Sequence, residues 1–184
     1  MKKYKIIYAD PPWAYKNMGN IQNNVLKHYS TMKQEDIESL NVNEIADDNS
    51  ILFLWVTMPK LQEGLNVIKA WGFEYKTCGF NWIKKNKCGS NFFGVGWYTK
   101  SNSELCLIGT KGRSPKVSNS ISQIIETVRG KHSEKPNIVR EKIIEFCGDI
   151  PRIELFARTK VEGWDIWGNE VESEVSLNTS ETKK

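Results

Sequence analysis

Short apolar stretches punctuate this chain, and their lengths and flanks predict an alternation of strands and helices. Residues 4–9 carry the β-branched and aromatic content of a strand. Residues 51–56 (Ile-Leu-Phe-Leu-Trp-Val) are apolar without interruption, the pattern of a strand covered on both faces. Residues 73–84, 104–109 and 152–157 read as further strands, and 121–128 fit a strand or a helix equally. Helices fall between them. Thr31 and Gln34 have capping-box spacing and predict a helix to about Leu40. Thr57 as N-cap and Pro59 in the first turn predict another, with Leu61, Leu65, Ile68 and Trp71 on one stripe and Gly72 as its stop. Pro136 opens a third to about Phe146, ended by Gly148.

This alternation predicts an α/β fold, a mostly parallel sheet with helices on both faces. Two stretches depart from it, 14–30 and 85–103. Both are long, polar and rich in Asn, Gly and aromatics, as functional loops over a site are. Residues 172–184 read as a disordered acidic and polar tail, which leaves 1–171 as one catalytic-sized domain.

Composition narrows the class. No apolar run approaches a membrane span, and the N-terminus passes into a strand without the pattern of a signal peptide. Four cysteines lie scattered with no CxxC pair, and there are two histidines, so no metal site is expected. Cys106 and Cys147 sit in apolar runs as buried thiols, which fits a reducing, cytoplasmic setting. The net charge of +4 is compatible with a polyanionic partner.

The first strand empties directly into Asp10-Pro11-Pro12-Trp13. An amine conjugated to an aromatic ring is a poor nucleophile, because its lone pair is delocalised. A carboxylate and a backbone carbonyl that each accept one of its N–H bonds favour a pyramidal, reactive nitrogen. The prolines stiffen the turn and carry no N–H, which frees carbonyls to face a ligand. The indole offers a flat face for an extruded base. These parts suit methylation of a nucleobase amine. The tetrapeptide also reads as a rigid turn with a packing Trp, but its place beyond a strand end is where open α/β sheets bind ligands.

Further motifs follow in order: Tyr29-Ser-Thr-Met32, Ile51 to Val56, Gly96-Trp97 with Asn102 and Glu104, His132-Ser-Glu-Lys-Pro136, Ile153-Glu-Leu-Phe-Ala-Arg158 and Gly163-Trp-Asp-Ile-Trp-Gly-Asn169. Together these resemble the MT-A70 family of adenine N6-methyltransferases, in its small bacterial or phage DNA-modifying form. The resemblance runs from about residue 4 to Glu170 and implies a Rossmann-like sheet with the catalytic motif ahead of the cofactor segments. It implies S-adenosylmethionine as methyl donor, with no metal.

It further implies Asp10 and Pro11 as acceptors for the adenine amine, Pro12 as turn support and Trp13 as a stacking wall. Asp10, Lys135, Glu154, Phe156, Arg158, Asn169 and Glu170 are the implied donor-binding residues: Lys135 for the carboxylate, Arg158 and Asn169 for the ribose, Glu154 holding Arg158. Tyr8 and residues 164–167 are candidates for the donor's adenine pocket. Tyr29 stands at the substrate mouth, with Lys84, Lys85, Trp97 and Asn102 as further substrate contacts.

Three basic clusters could meet a nucleic-acid backbone: Lys84, Lys85 and Lys87; Lys111, Arg113 and Lys116; Arg129 and Lys131. The first precedes Phe92, Phe93, Trp97 and Tyr98, an interleaving suited to a single strand. DNA is the expected partner and RNA the alternative, the target base being flipped or unpaired. The chain is expected as a monomer or homodimer, or with a partner subunit that helps choose the target. A third reading, from another class, is a non-catalytic nucleic-acid-binding subunit.

Overall fold

The computed structural model describes residues 2–15, 31–96, 98–130 and 134–177. A seven-stranded sheet runs in the order β5-β3-β4-β2-β1-β6-β7. Its strands are β1 (Tyr4–Ala9), β2 (Ala46–Val56), β3 (Glu74–Lys85), β4 (Ser103–Lys111), β5 (Ile124–Val128), β6 (Arg152–Leu155) and β7 (Asp165–Trp167). Around it lie α1 (Gln34–Glu38), α2 (Val42–Ile45), α3 (Leu61–Ala70) and α4 (Ile138–Cys147). Pairings β1–β2, β1–β6, β6–β7 and β3–β5 are parallel. Only β4 runs against its neighbours β2 and β3. It returns from β3 without a crossover helix, and such a connection produces an antiparallel pair.

The uninterrupted apolar run in β2 has the expected cause. Leu52, Leu54 and Val56 face a core shared with Ile68 and Trp71 beneath α3. Ile51, Phe53 and Trp55 face the opposite core, shared with Val139 and Ile143 of α4. The period of two thus divides one apolar run between two covered faces. The Trp71 indole N–H, fully buried, donates to the Ile37 carbonyl at 2.9 Å and fastens α3 to α1.

Gly64 lets α3 pack closely on β2. A β-carbon there would lie 2.3 Å from Val56 Cγ1, and Val56 is buried and β-branched, so it has little room to yield. Gly64→Ala is therefore expected to destabilise the fold by about 1–2 kcal/mol, overpacking outweighing the gain in helix propensity. Urea denaturation measures it; an unchanged or higher midpoint would contradict this packing.

Several boundaries differ from the sequence-based expectation. β2 begins at Ala46, because Tyr4 pairs with Ala46 before the register shifts ahead of Ile6. Its extra residues Asp47, Asp48 and Asn49 are polar, so hydropathy did not show them. The first helix starts at Gln34, capped at Lys33 with no side-chain cap bond. The Thr31 capping box does not form. Met32 instead donates its N–H to the Pro12 carbonyl at 2.9 Å, which draws this segment onto the Asp10–Trp13 turn. Residues 121–128 resolve as β5 beside β3.

Beyond β7, Glu174 accepts the Ile166 N–H at 2.7 Å and donates its own N–H to the Ile166 carbonyl at 3.0 Å. Val175 and Leu177 pack against the first core. Cys106 and Cys147 are buried free thiols as expected, and burial pushes the Cys147 thiol up to about 12. Among the described residues no helix is long and apolar enough to cross a membrane.

Candidate active site

β1 and β2 are adjacent and parallel, with Ala9 opposite Leu54, so the residues that follow them emerge side by side. Asp10-Pro11-Pro12-Trp13 then folds over the end of the sheet. The Trp13 N–H donates to the Pro11 carbonyl at 2.9 Å, closing a tight three-residue turn. The Trp13 indole donates to the Trp55 carbonyl at 3.1 Å and leaves the residue 8% exposed. The motif is thereby clamped to β2 on one side and to Met32 on the other.

A cavity of about 300 Å³ opens above this turn. Its aromatic wall is built from Trp13, Tyr15, Trp55, Trp82 and Phe92. Trp55 and Trp82 meet edge to face, with centroids 6.3 Å apart. Its charged wall is an alternating chain. Lys135 Nζ lies 2.7 Å from Asp10 Oδ2 and 3.3 Å from a Glu104 carboxylate oxygen, and Lys84 closes on the other Glu104 oxygen. Lys135 also lies 5.6 Å from the Trp55 ring centre, and Lys84 lies 5.1 Å from that of Trp82.

Burial and neighbours set the protonation of this chain. Burial raises the Asp10 carboxyl above its ordinary value, with Lys135 pulling it back. Burial would lower Lys135, but Asp10 and Glu104 outweigh it and hold the ammonium charged. For Glu104 burial is likewise overcome, by Lys135 and Lys84, and its carboxyl sits below the ordinary value.

A smaller cavity, about 40 Å³, adjoins the first and shares Asp10, Pro12 and Arg158 with it. Phe156, Ala157, Asn169 and Glu170 complete its lining. The chain turns sharply out of β6 here. Phe156 has φ 62°, the only positive φ of a described non-glycine residue, and its ring meets Trp167 edge on at 5.3 Å. Such strain concentrates where a backbone is shaped for a ligand. The Ala157 N–H donates to the Trp167 carbonyl at 3.0 Å, and a β-carbon on Gly168 would lie 2.2 Å from the Ala157 carbonyl oxygen. This close approach, which only glycine permits, sets Arg158 beside Asn169 and Glu170; Arg158 Nε lies 3.9 Å from a Glu170 oxygen.

The structure therefore brings together Asp10, Pro11, Pro12, Trp13, Lys84, Lys135, Phe156, Arg158, Asn169 and Glu170. Tyr8 and Glu154 line neither cavity. Tyr8 is buried on the other face of β1, and its hydroxyl accepts the Trp55 indole N–H at 2.7 Å. Glu154 does not hold Arg158: Arg140 of α4 clasps it through two bonds of 2.7 Å. Lys85 turns to Glu126 at 3.0 Å and Asn91 at 2.9 Å, and Asn102 contributes a carbonyl to the Lys84 N–H. Tyr29, Trp97 and Lys131 lie outside the described residues.

Glu104, Trp55, Trp82 and Arg140 gained no role from the sequence. Glu104 carried a readable signal, an acid at the head of an apolar strand. Arg140 carried none, in a helix mixing Lys, Arg and Glu.

A mostly parallel sheet with helices on both faces and a charged, aromatic cavity beyond β1 and β2 defines a Rossmann-like α/β methyltransferase fold. The chain matches the MT-A70 family over residues 4–170 and belongs to that family. It is 35% identical to the type II methyltransferase M.MunI of Mycoplasma sp, over 92% of this chain and 78% of that protein. It is 27% identical to the human N(6)-adenosine-methyltransferase catalytic subunit METTL3, over 92% of this chain and 28% of that one. The MT-A70-like N(6)-adenosine-methyltransferase of Drosophila melanogaster gives 27% identity over 27% of its length. The chain thus spans about a quarter of these adenosine-modifying relatives.

Proposed function

We propose that this chain transfers a methyl group from S-adenosylmethionine to the N6 amine of an adenine in DNA, flipped or single-stranded. The observation that carries the reading is the largely buried Asp10 carboxylate, its side chain 24% exposed, in a base-sized aromatic cavity beside a second cavity lined for a polar ligand.

The donor set fits the methyl donor. Lys135 is a cation for a carboxylate, and Arg158, Asn169 and Glu170 offer donors and acceptors for ribose hydroxyls. When bound, the donor supplies an electrophilic methyl carbon on a sulfonium. Lys135 engages Asp10 Oδ2, which leaves Oδ1 to accept one amine hydrogen. The Pro11 carbonyl, already taking the Trp13 N–H, has a second lone pair for the other. The aromatic wall excludes water and sandwiches the base, so both acceptors act in a low-dielectric site. After transfer the nitrogen carries a surplus proton, and Asp10 Oδ1, already accepting that hydrogen, receives it. No metal is part of this reading.

DNA is preferred as substrate because M.MunI, a relative aligned with this chain over 78% of its own length, is a type II methyltransferase. The adenosine-specific relatives support RNA as the second reading. A cytoplasmic setting follows, and target choice then falls to loops around the cavity, a second copy or a partner subunit. Matched DNA and RNA oligonucleotides with one adenine, incubated with donor, test it: faster methylation of DNA is expected, and methylation of RNA alone would replace the reading with its rival.

The pH profile is a second test. Asp10 must be ionised to accept an amine hydrogen, and its carboxyl is raised, so activity is lost as pH falls through that raised value. The acid limb of kcat/KM is expected above 3.8, the ordinary aspartate value. Glu104 is depressed below its own ordinary value by Lys135 and Lys84, and Lys135 is raised above its own, so neither sets a limb near neutrality. Activity retained undiminished below pH 3.8 would remove Asp10 from the reaction.

A further inference from the structure

We infer that Arg129, stacked on Phe92 at the cavity rim, binds a backbone phosphate of the nucleotide whose base enters the cavity. The inference rests on the nucleic-acid reading above and adds to it a specific phosphate site.

Four cations line the main cavity: Lys84, Arg129, Lys135 and Arg158. Three have carboxylate partners: Lys84 has Glu104, Lys135 has Asp10 and Glu104, and Arg158 has Glu170. Arg129 forms no ion pair among the described residues. Its neighbour Lys85 is occupied by Glu126 and Asn91. Among the described residues, Arg129 is thus the lining cation without a carboxylate partner.

Its position is fixed by packing. The guanidinium carbon lies 4.2 Å from the Phe92 ring centre. Both residues are tied to the end of β3, since the Phe92 N–H donates to the Lys84 carbonyl at 2.8 Å and the Arg129 N–H to the Lys85 carbonyl at 3.2 Å. Stacking occupies the face of a guanidinium and leaves its edge donors in plane, the fork that matches two oxygens of one phosphate. Geometry supplies the anion. A base extruded into the cavity carries its flanking phosphates to the rim. DNA and RNA share that phosphate.

The test compares wild type and Arg129→Met on an oligonucleotide with a single adenine. Arg129→Met is expected to raise KM about tenfold, the size of one charge-assisted contact. It should leave kcat and donor affinity unchanged and flatten the log–log salt dependence of binding by about one phosphate's share. Arg129→Lys, which keeps the charge and loses the fork, should fall between. Methylphosphonates on either side of the adenine should bring wild type down to the variant's level and cost the variant nothing further. Equal KM values on the ordinary oligonucleotide, or an equal methylphosphonate penalty in both proteins, would overturn the assignment while wild-type turnover keeps the parent reading intact. A wild-type chain that binds donor and methylates no adenine oligonucleotide would sink the parent reading and this site with it.

Discussion

Asp10→Asn is expected to lower kcat for methyl transfer by about a thousandfold while the chain stays folded and keeps much of its donor affinity. The side chain keeps its shape and loses its charge, so the change isolates the acceptor function. Removing a positioned proton acceptor in a dry site typically costs 10²–10⁴-fold. The fold should tolerate it because Lys135 retains Glu104 at 3.3 Å and is not left without a counter-ion. Thermal melting checks folding, calorimetry checks the donor, and single-turnover kinetics reads the chemical step. Near-normal turnover by Asp10→Asn would remove the carboxylate from the mechanism.

The second large effect is on stability. Arg140→Leu breaks the two-bond clasp on Glu154, whose side chains are 14% and 9% exposed. A buried carboxylate left without its partner costs about 3 kcal/mol, more than either charge contributes as a pair. Urea denaturation of Arg140→Leu should show that loss, and Arg140→Leu with Glu154→Leu should recover most of it. Activity per folded molecule should change little in the double variant, because neither residue lines the two cavities at the site. A double variant that folds well and fails to bind donor would assign Glu154 to the donor site after all.

That contrast shows which parts of this protein its sequence exposes. The strands at 4–9 and 51–56 were legible because both faces are covered, so hydropathy alone marks them. The helix opened by Pro136 was legible within two residues for a different reason, its Pro start and its stop at Gly148, which has φ 86°. β7 is three residues long and the polar start of β2 leans on β1 through a bulge, so neither carries a periodic signal. At the site, the Asp-Pro-Pro-Trp motif announced itself by residue type, whereas Lys135, Arg158 and Asn169 were pointed to only by the family resemblance. Partner choice was legible in neither. Whether Glu154 meets Arg158 or Arg140 depends on how α4 crosses β6, and whether Lys84 faces solvent or Glu104 depends on the β3–β4 register. Lys84 looked like a phosphate contact and is an internal counter-ion. Trp13 lines the cavity as the sequence led one to expect, but its burial and its indole bond to the Trp55 carbonyl were not legible in the motif.

The central claim is that the cavity over Asp10 places a methyl group on adenine N6. Incubating the chain with donor labelled in its methyl group and a single-adenine DNA strand, then resolving the nucleosides by mass spectrometry, tests it most directly. The account predicts labelled N6-methyladenine with wild type and almost none with Asp10→Asn. Label on another base or another ring position, or equal label from both proteins, would contradict it.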